Sequence, residues 1–126
     1  MSKTIVYSAQ APEPIGPYSQ AVQAGNMLFI SGQIAIERAS GALITDSIER
    51  ETRQVMLNLE AVLKAAGMDF SNVVKSTIFL TDMNNFPAVN TVYGEFFKSE
   101  PPARETVEVS GLPKGVNVEI SCVAVV

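Results

Sequence analysis

The sequence predicts a single α+β domain, a β-sheet with two helices covering one of its faces. Three observations lead there. A chain of 126 residues has one-domain length and can bury one core. Two windows carry apolar residues at helical spacing, and a β-branched, aromatic run lies between them. Alternating apolar and polar residues dominate both ends of the chain. The resulting order of strands, helix, strand, helix, strands suits a sheet with helices on one side. The other face is left to meet water or a second copy.

In chain order, TIVYS (4–8) reads as a short strand ahead of the turn-rich APEPIGP. YSQAVQAG (18–25) and MLFISG (27–32) are strands joined at Gly25-Asn26, a hairpin signal. GQIAIERASGALIT prolongs the second strand before an irregular loop containing Gly41. Asp46 is the expected N-cap of the first helix, with Glu49 as its capping-box partner. Ile48, Val55, Met56, Leu59, Val62, Leu63 and Ala66 mark its buried stripe, and Gly67 ends it. Arg50, Arg53, Glu49, Glu51 and Glu60 are expected on its solvated surface. VVKSTIFLT (73–81) is the central strand. Asp82 or Asn84 starts the second helix, whose stripe is Phe86, Val89, Tyr93, Phe96 and Phe97. Pro87 falls in its first turn, where a missing N–H is tolerated. Two strands, about 104–109 and 116–125, close the chain as a hairpin across SGLPKG.

Composition excludes several chemistries. With no histidine and one cysteine, the chain has no Ser-His-Asp triad, no Cys-His pair and no His-based metal site. There is no Walker or GxGxxG loop. A net charge of −4, with nine Lys and Arg scattered along the chain, argues against nucleic-acid binding. No apolar run approaches the length of a membrane helix. The N-terminal stretch lacks a long apolar core, so no signal peptide is expected, and the lone Cys122 suits a cytoplasmic, reducing setting. Only 17% of residues are charged, low beside the roughly 25% of soluble domains. That shortage points to a surface covered by another chain.

What remains for chemistry is arginine, carboxylates, hydroxyls and backbone groups. If Val107 and Val109 share the helix-covered face with Val118, Ile120 and Cys122, then Arg104 and Thr106 share the opposite face with Glu119 and Ser121. The pairing of Thr106 with Glu119 would leave Arg104 a diagonal neighbour of that carboxylate. Two readings stand. One is a solvated cross-strand ion pair worth about 0–1 kcal/mol. The other is a site in which Arg104 holds a substrate carboxylate through its planar fork and Glu119 handles a water.

IGPYSQAV (15–22), FISGQI (29–34), PPAR (101–104) and LPKGVNVEI (112–120), in that order, resemble the RidA family of reactive intermediate deaminases, also called YjgF or L-PSP. AAG (65–67) and VNTVYGEFF (89–97) extend the resemblance over essentially the whole chain. It implies a chorismate-mutase-like fold, a homotrimer with ligand clefts between subunits, and no cofactor. It also implies hydrolysis of 2-aminoacrylate, 2-aminocrotonate and their imines to 2-keto acids and ammonia. Arg104 matches the family arginine that binds the substrate carboxylate, and Glu119 the carboxylate that positions or activates water. Tyr18 matches a cleft tyrosine, Ser31 and Gly32 the loop beside the ligand, and Asn90 the asparagine of the VN pair. Thr106 stands where many relatives have cysteine, with its backbone toward the ligand, and Pro101 where many have an aromatic. By alternation Cys122 lies on the face opposite Thr106. For Ser31-Gly32 a plain strand end remains as good a reading as close approach of a ligand, and Asn90 alone would be a helix residue beside the aromatic stripe. Three rivals from other classes are open: a non-catalytic trimer that senses 2-keto acids, a protein that cleaves RNA or inhibits translation, and a chorismate mutase by fold analogy, a function that fold alone does not carry.

Overall fold

The computed structural model describes residues 2–126. Six strands form one sheet: β1 (Thr4–Val6), β2 (Ala21–Ala24), β3 (Met27–Gln33), β4 (Val73–Leu80), β5 (Ala103–Glu108) and β6 (Val118–Val125), in spatial order β1-β2-β3-β6-β4-β5. Helices α1 (Ile48–Ala65) and α2 (Phe86–Gly94) cover one face. All neighbouring strands are antiparallel except β4 and β5, which run parallel. Helix α2 supplies the crossover that a parallel pair requires. Helix α1 makes a second crossover, from β3 to β4, with β6 inserted between them. Among the described residues no helix is long and apolar enough to cross a membrane.

The core lies between the helices and the sheet. Leu28 and Ile30 of β3, Ile78 and Leu80 of β4, and Val118, Ile120, Cys122 and Ala124 of β6 face Val55, Met56, Leu59, Val62 and Leu63 of α1. Phe70 closes one end, edge-to-face against Phe97 with centroids 5.2 Å apart and tilted against Phe96 at 5.4 Å. The helix-free face is apolar as well. Ile5, Val22, Phe29 and Val123 stand in one row across four strands, with Ile5 53% and Phe29 45% exposed. Apolar area arranged in a row on an exposed sheet face is a surface suited to association.

Four expectations need correction. The last two strands are not a hairpin: β5 pairs only with β4, and β6 crosses over β4 to lie on its other side. As a result β5 is an edge strand, where alternation no longer marks the core, and Val107 lies exposed. The cap of α1 is Ser47, which accepts the Arg50 N–H, while Asp46 forms an exposed ion pair with the Arg50 guanidinium. Glu51 is fully buried rather than solvated. The strand beginning at Met27 stops at Gln33, beyond which only an isolated bridge joins Ile36 to Leu43.

Gly67, with φ +74°, ends α1 as expected, and Met68 N–H reaches back to the Leu63 carbonyl. The cap assignment is testable by chemical denaturation. Ser47→Ala should cost about 1 kcal/mol, whereas Asp46→Ala should cost no more than about 0.5 kcal/mol, as exposed i,i+4 pairs do. The reverse order would return the cap to Asp46.

Candidate functional site

The strand register sorts the candidate residues into two groups on opposite faces of the sheet. Arg104 stands opposite Ser76, and Ser76 opposite Cys122. Residues level with one another in adjacent strands point the same way. Because Ser76 and Cys122 are buried under the helices, Arg104 also projects to the helix side. Glu119 stands opposite Phe79 and, beyond it, Val107, so it projects to the open side. The expected Arg104–Glu119 neighbourhood within one chain is therefore absent, for the same reason that the hairpin is absent.

On the helix side, Arg104 is held by α2. Its Nη1 donates to Asn90 Oδ1 at 2.7 Å. Its guanidinium carbon lies 5.0 Å from the Tyr93 ring centroid and 5.5 Å from that of Phe86, within the range of cation–π attraction. Phe86, Asn90 and Tyr93 follow one another at i, i+4 and i+7, so one helix stripe supplies both rings and the amide. Arg38, Arg50 and Arg53 each pair with a carboxylate, of Glu13, Asp46 and Glu95 respectively. Arg104, the fourth arginine, has no acidic partner among the described residues. It borders an open cleft of about 490 Å³ with Asn90, Tyr93, Gly94, Phe97, Pro101 and Pro102. Thr106, two residues on along the same face, has a buried hydroxyl with no hydrogen-bond partner among the described residues, a costly state unless something else satisfies it.

On the open side, Tyr18, Ser31, Gly32 and Glu119 line a cleft of about 310 Å³ with Ile15, Ile34 and Pro113. Two of these residues also shape the loop. The Tyr18 hydroxyl accepts the Ile15 N–H at 3.2 Å, and Ser31 Oγ donates to the Ser19 carbonyl at 2.6 Å. Gly32 is present for space. A Cβ there would fall 1.9 Å from Glu119 Oε2, so the carboxylate rests where any other residue would put its side chain. Burial pushes the Glu119 carboxyl above its ordinary 4.5, the direction that suits a proton-handling group.

Cys122 lies on the same face as Arg104 and Thr106, contrary to expectation, but it is buried in the core. Burial pushes its thiol up to about 11, and its Sγ rests 3.6 Å from Ser76 Oγ, which accepts the Tyr93 hydroxyl at 2.9 Å. The sequence pattern placed Phe86 and Tyr93 in the core stripe and missed their role beside Arg104. Their spacing with Asn90 was the available signal. Pro113 carried none.

A family model described as Endoribonuclease L-PSP matches residues 8–126. The protein DfrA of Myxococcus xanthus is 52% identical over 127 residues, spanning 99% of this chain and 97% of its own. A 2-iminobutanoate/2-iminopropanoate deaminase of Capra hircus is 48% identical over 123 residues, spanning 98% of this chain and 90% of its own. The solved structure of a Yersinia pestis protein described as a member of the conserved Rid family superposes with a TM-score of 0.97 at 48% identity. That match covers 99% of this chain and 100% of the other.

The placement of Glu119 against Gly32 yields two expectations. Gly32→Ala should fold with a loss within about 1 kcal/mol, because a flexible carboxylate can swing aside, and its crystal structure should show Glu119 displaced. An unmoved carboxylate would refute the contact. A carboxyl whose folded pKa is raised loses stability as pH climbs from the unfolded value through the folded one. Glu119→Gln should therefore be more stable than the wild type at about pH 7, with the gain vanishing below about pH 4. Urea melts at both pH values would show it.

Proposed function

The chain belongs to the L-PSP, or Rid, family, and from that premise we propose that it hydrolyses small 2-imino acids to 2-keto acids and ammonia. Its expected substrates are 2-iminopropanoate and 2-iminobutanoate, with their enamine tautomers 2-aminoacrylate and 2-aminocrotonate. The observation that carries this reading is Arg104, the one arginine with no carboxylate partner among the described residues, oriented by Asn90 and two rings at the edge of an open cleft. Such a group is ready for a carboxylate from outside, and the fork of a guanidinium binds one bidentately. A net charge of −4 opposes the phosphate neutralisation on which RNA affinity rests, so a small anion is the better ligand.

Arg104 and Glu119 act on one ligand only across two copies of the chain, since their side chains leave opposite faces of the sheet. The assembly is a homotrimer in which one protomer contributes Arg104, Asn90 and Thr106, and its neighbour Tyr18, Ser31, Gly32 and Glu119. The apolar row on the helix-free face supports that association. In the cleft Arg104 fixes the substrate carboxylate and so orients the imine carbon, a proximity effect. Water adds to that carbon while Glu119 takes its proton. The reaction starts from the protonated imine, and Glu119 returns that proton to the carbinolamine nitrogen. The C–N bond then breaks as ammonia leaves, while the hydroxyl O–H bond breaks to give the C=O and its proton passes back to Glu119. Glu119, with its pKa raised by burial, suits both the taking and the giving of that proton. The unpartnered Thr106 hydroxyl is placed to hydrogen-bond the substrate beside Arg104.

The test generates 2-iminobutanoate with an amino-acid oxidase and follows its trapping by semicarbazide, counting acceleration over spontaneous hydrolysis. Arg104→Ala should lose about a hundredfold or more of that acceleration, and Arg104→Lys should recover little of it. Full activity in the lysine variant sinks the bidentate clamp. If the wild type binds 2-keto acids and accelerates nothing, the chain is a sensor and not a deaminase. Sharing across protomers has its own signature. Arg104→Ala and Glu119→Gln chains, each inactive, should regain activity in about a quarter of the clefts when unfolded and refolded together. No recovery would place both groups in one protomer.

A further inference from the structure

Glu51 is the most deeply buried charged side chain in the protein, and the proposed hydrolysis makes no use of it. It sits in the first turn of α1 with no exposed surface. Its Oε2 accepts the Asn117 N–H at 2.7 Å and the Val118 N–H at 3.0 Å, and its Oε1 accepts Asn117 Nδ2 at 2.8 Å. No ion pair among the described residues includes it. Its charge is met by three N–H dipoles and by the positive end of α1. Buried carboxylates are costly without such compensation, so this one has a definite task.

We propose that Glu51 is a positioning residue for Glu119: it fixes the start of β6 from which the site carboxylate projects. Asn117 is tied on three sides, through its backbone N–H and side-chain amide to Glu51 and through its carbonyl to the Thr81 N–H at 3.2 Å. Val118 is tied next, and Glu119 follows directly. Just upstream, Lys114 at φ 57° and Gly115 at φ 70° turn the chain, and that turn brings Pro113 against the same cleft as Glu119. One buried acid thus anchors both a wall of the cleft and its proton-handling group to α1. A slip of one residue at this anchor would turn Glu119 to the opposite face of the sheet. An apolar side chain of equal size would fill the space yet leave the Asn117 and Val118 N–H groups without acceptors.

The kinetic consequence rests on the imine-hydrolysis reading, whereas the geometry does not. The test therefore has two independent readouts in the full-length chain. One is kcat and KM for imine hydrolysis. The other is the titration of Glu119, followed by NMR with labelled glutamate and assigned through Glu119→Gln. Glu51→Gln keeps an acceptor for both backbone N–H groups, and its amide can donate to a flipped Asn117 side chain. It should hold kcat within about threefold of the wild type. Glu51→Asp keeps the charge and loses reach. It should fold, lose about tenfold or more in kcat with KM little changed, and bring the Glu119 titration back toward that of an ordinary carboxylate. Glu51→Ala should do the same or more; if it fails to fold, the Gln and Asp variants decide. A folded Glu51→Asp protein with wild-type kcat and an unmoved Glu119 titration overturns the proposal. So does a Glu51→Gln protein as impaired as Glu51→Asp, since losing the charge with reach intact would then be as damaging as losing the reach. If the wild type hydrolyses no imine, the Glu119 titration alone decides, and loss of the functional reading is told apart from loss of the anchor.

Discussion

Strand β6 is hydrogen-bonded along both edges, to β3 on one side and β4 on the other, and the layout of the site depends on that insertion. A strand paired on both edges and buried on one face resists a shift of register. Its inward residues, Val118, Ile120, Cys122 and Ala124, form the floor of the core. Its outward residue Glu119 takes its direction from the same alternation. By occupying the position beside β4, β6 also leaves β5 only the far edge, as a parallel neighbour. That displacement sends Arg104 to the helix side and separates the two charged groups by the thickness of the sheet.

The candidate residues form two half-sites of different construction. Arg104 rests on a helix stripe, braced by an amide and two aromatic rings that are themselves part of the core edge. Glu119 rests on backbone, with a glycine beneath it and a bound strand start behind it. The first arrangement orients a permanent cation for an anion. The second holds an acid in a partly desolvated position, where its proton affinity rises. On the proposed mechanism neither half carries out hydrolysis alone, and each borders an open cleft.

Local pattern made the elements legible and left the connections hidden. Ile48 to Ala66 announced α1 because a stripe on a long helix repeats often enough to be read, and Gly67 announced its end. Asp46 and the neighbouring Ser47 are both good cap residues, and only backbone geometry separates them. Glu51 falls three residues after Ile48 and four before Val55, squarely on the buried stripe, but a pattern built from apolar residues passes over a carboxylate there. The strand partners were harder. Seven or eight residues of alternation identify β6, yet nothing within them says which strands lie alongside, and a short connection favoured the wrong neighbour. The resemblance supplied Arg104, Glu119, Tyr18, Ser31, Gly32, Asn90 and Thr106 as a set. The strand register divides that set between two faces, which the sequence motifs could not do.

The contact between Glu119 and Gly32 couples two positions separated by most of the chain. Glycine at 32 lets Glu119 keep its present place, and it matters only while a long acidic side chain occupies 119. Shorten residue 119 to serine or alanine, and the space over residue 32 opens to side chains. In descendants of this sequence the two positions should therefore drift as a pair. A lineage that gives up the carboxylate becomes free to fill the glycine, and once it has done so a single reversal at 119 restores a carboxylate that is pushed out of its original place. The loss would act as a ratchet, with the way back requiring two substitutions in the right order.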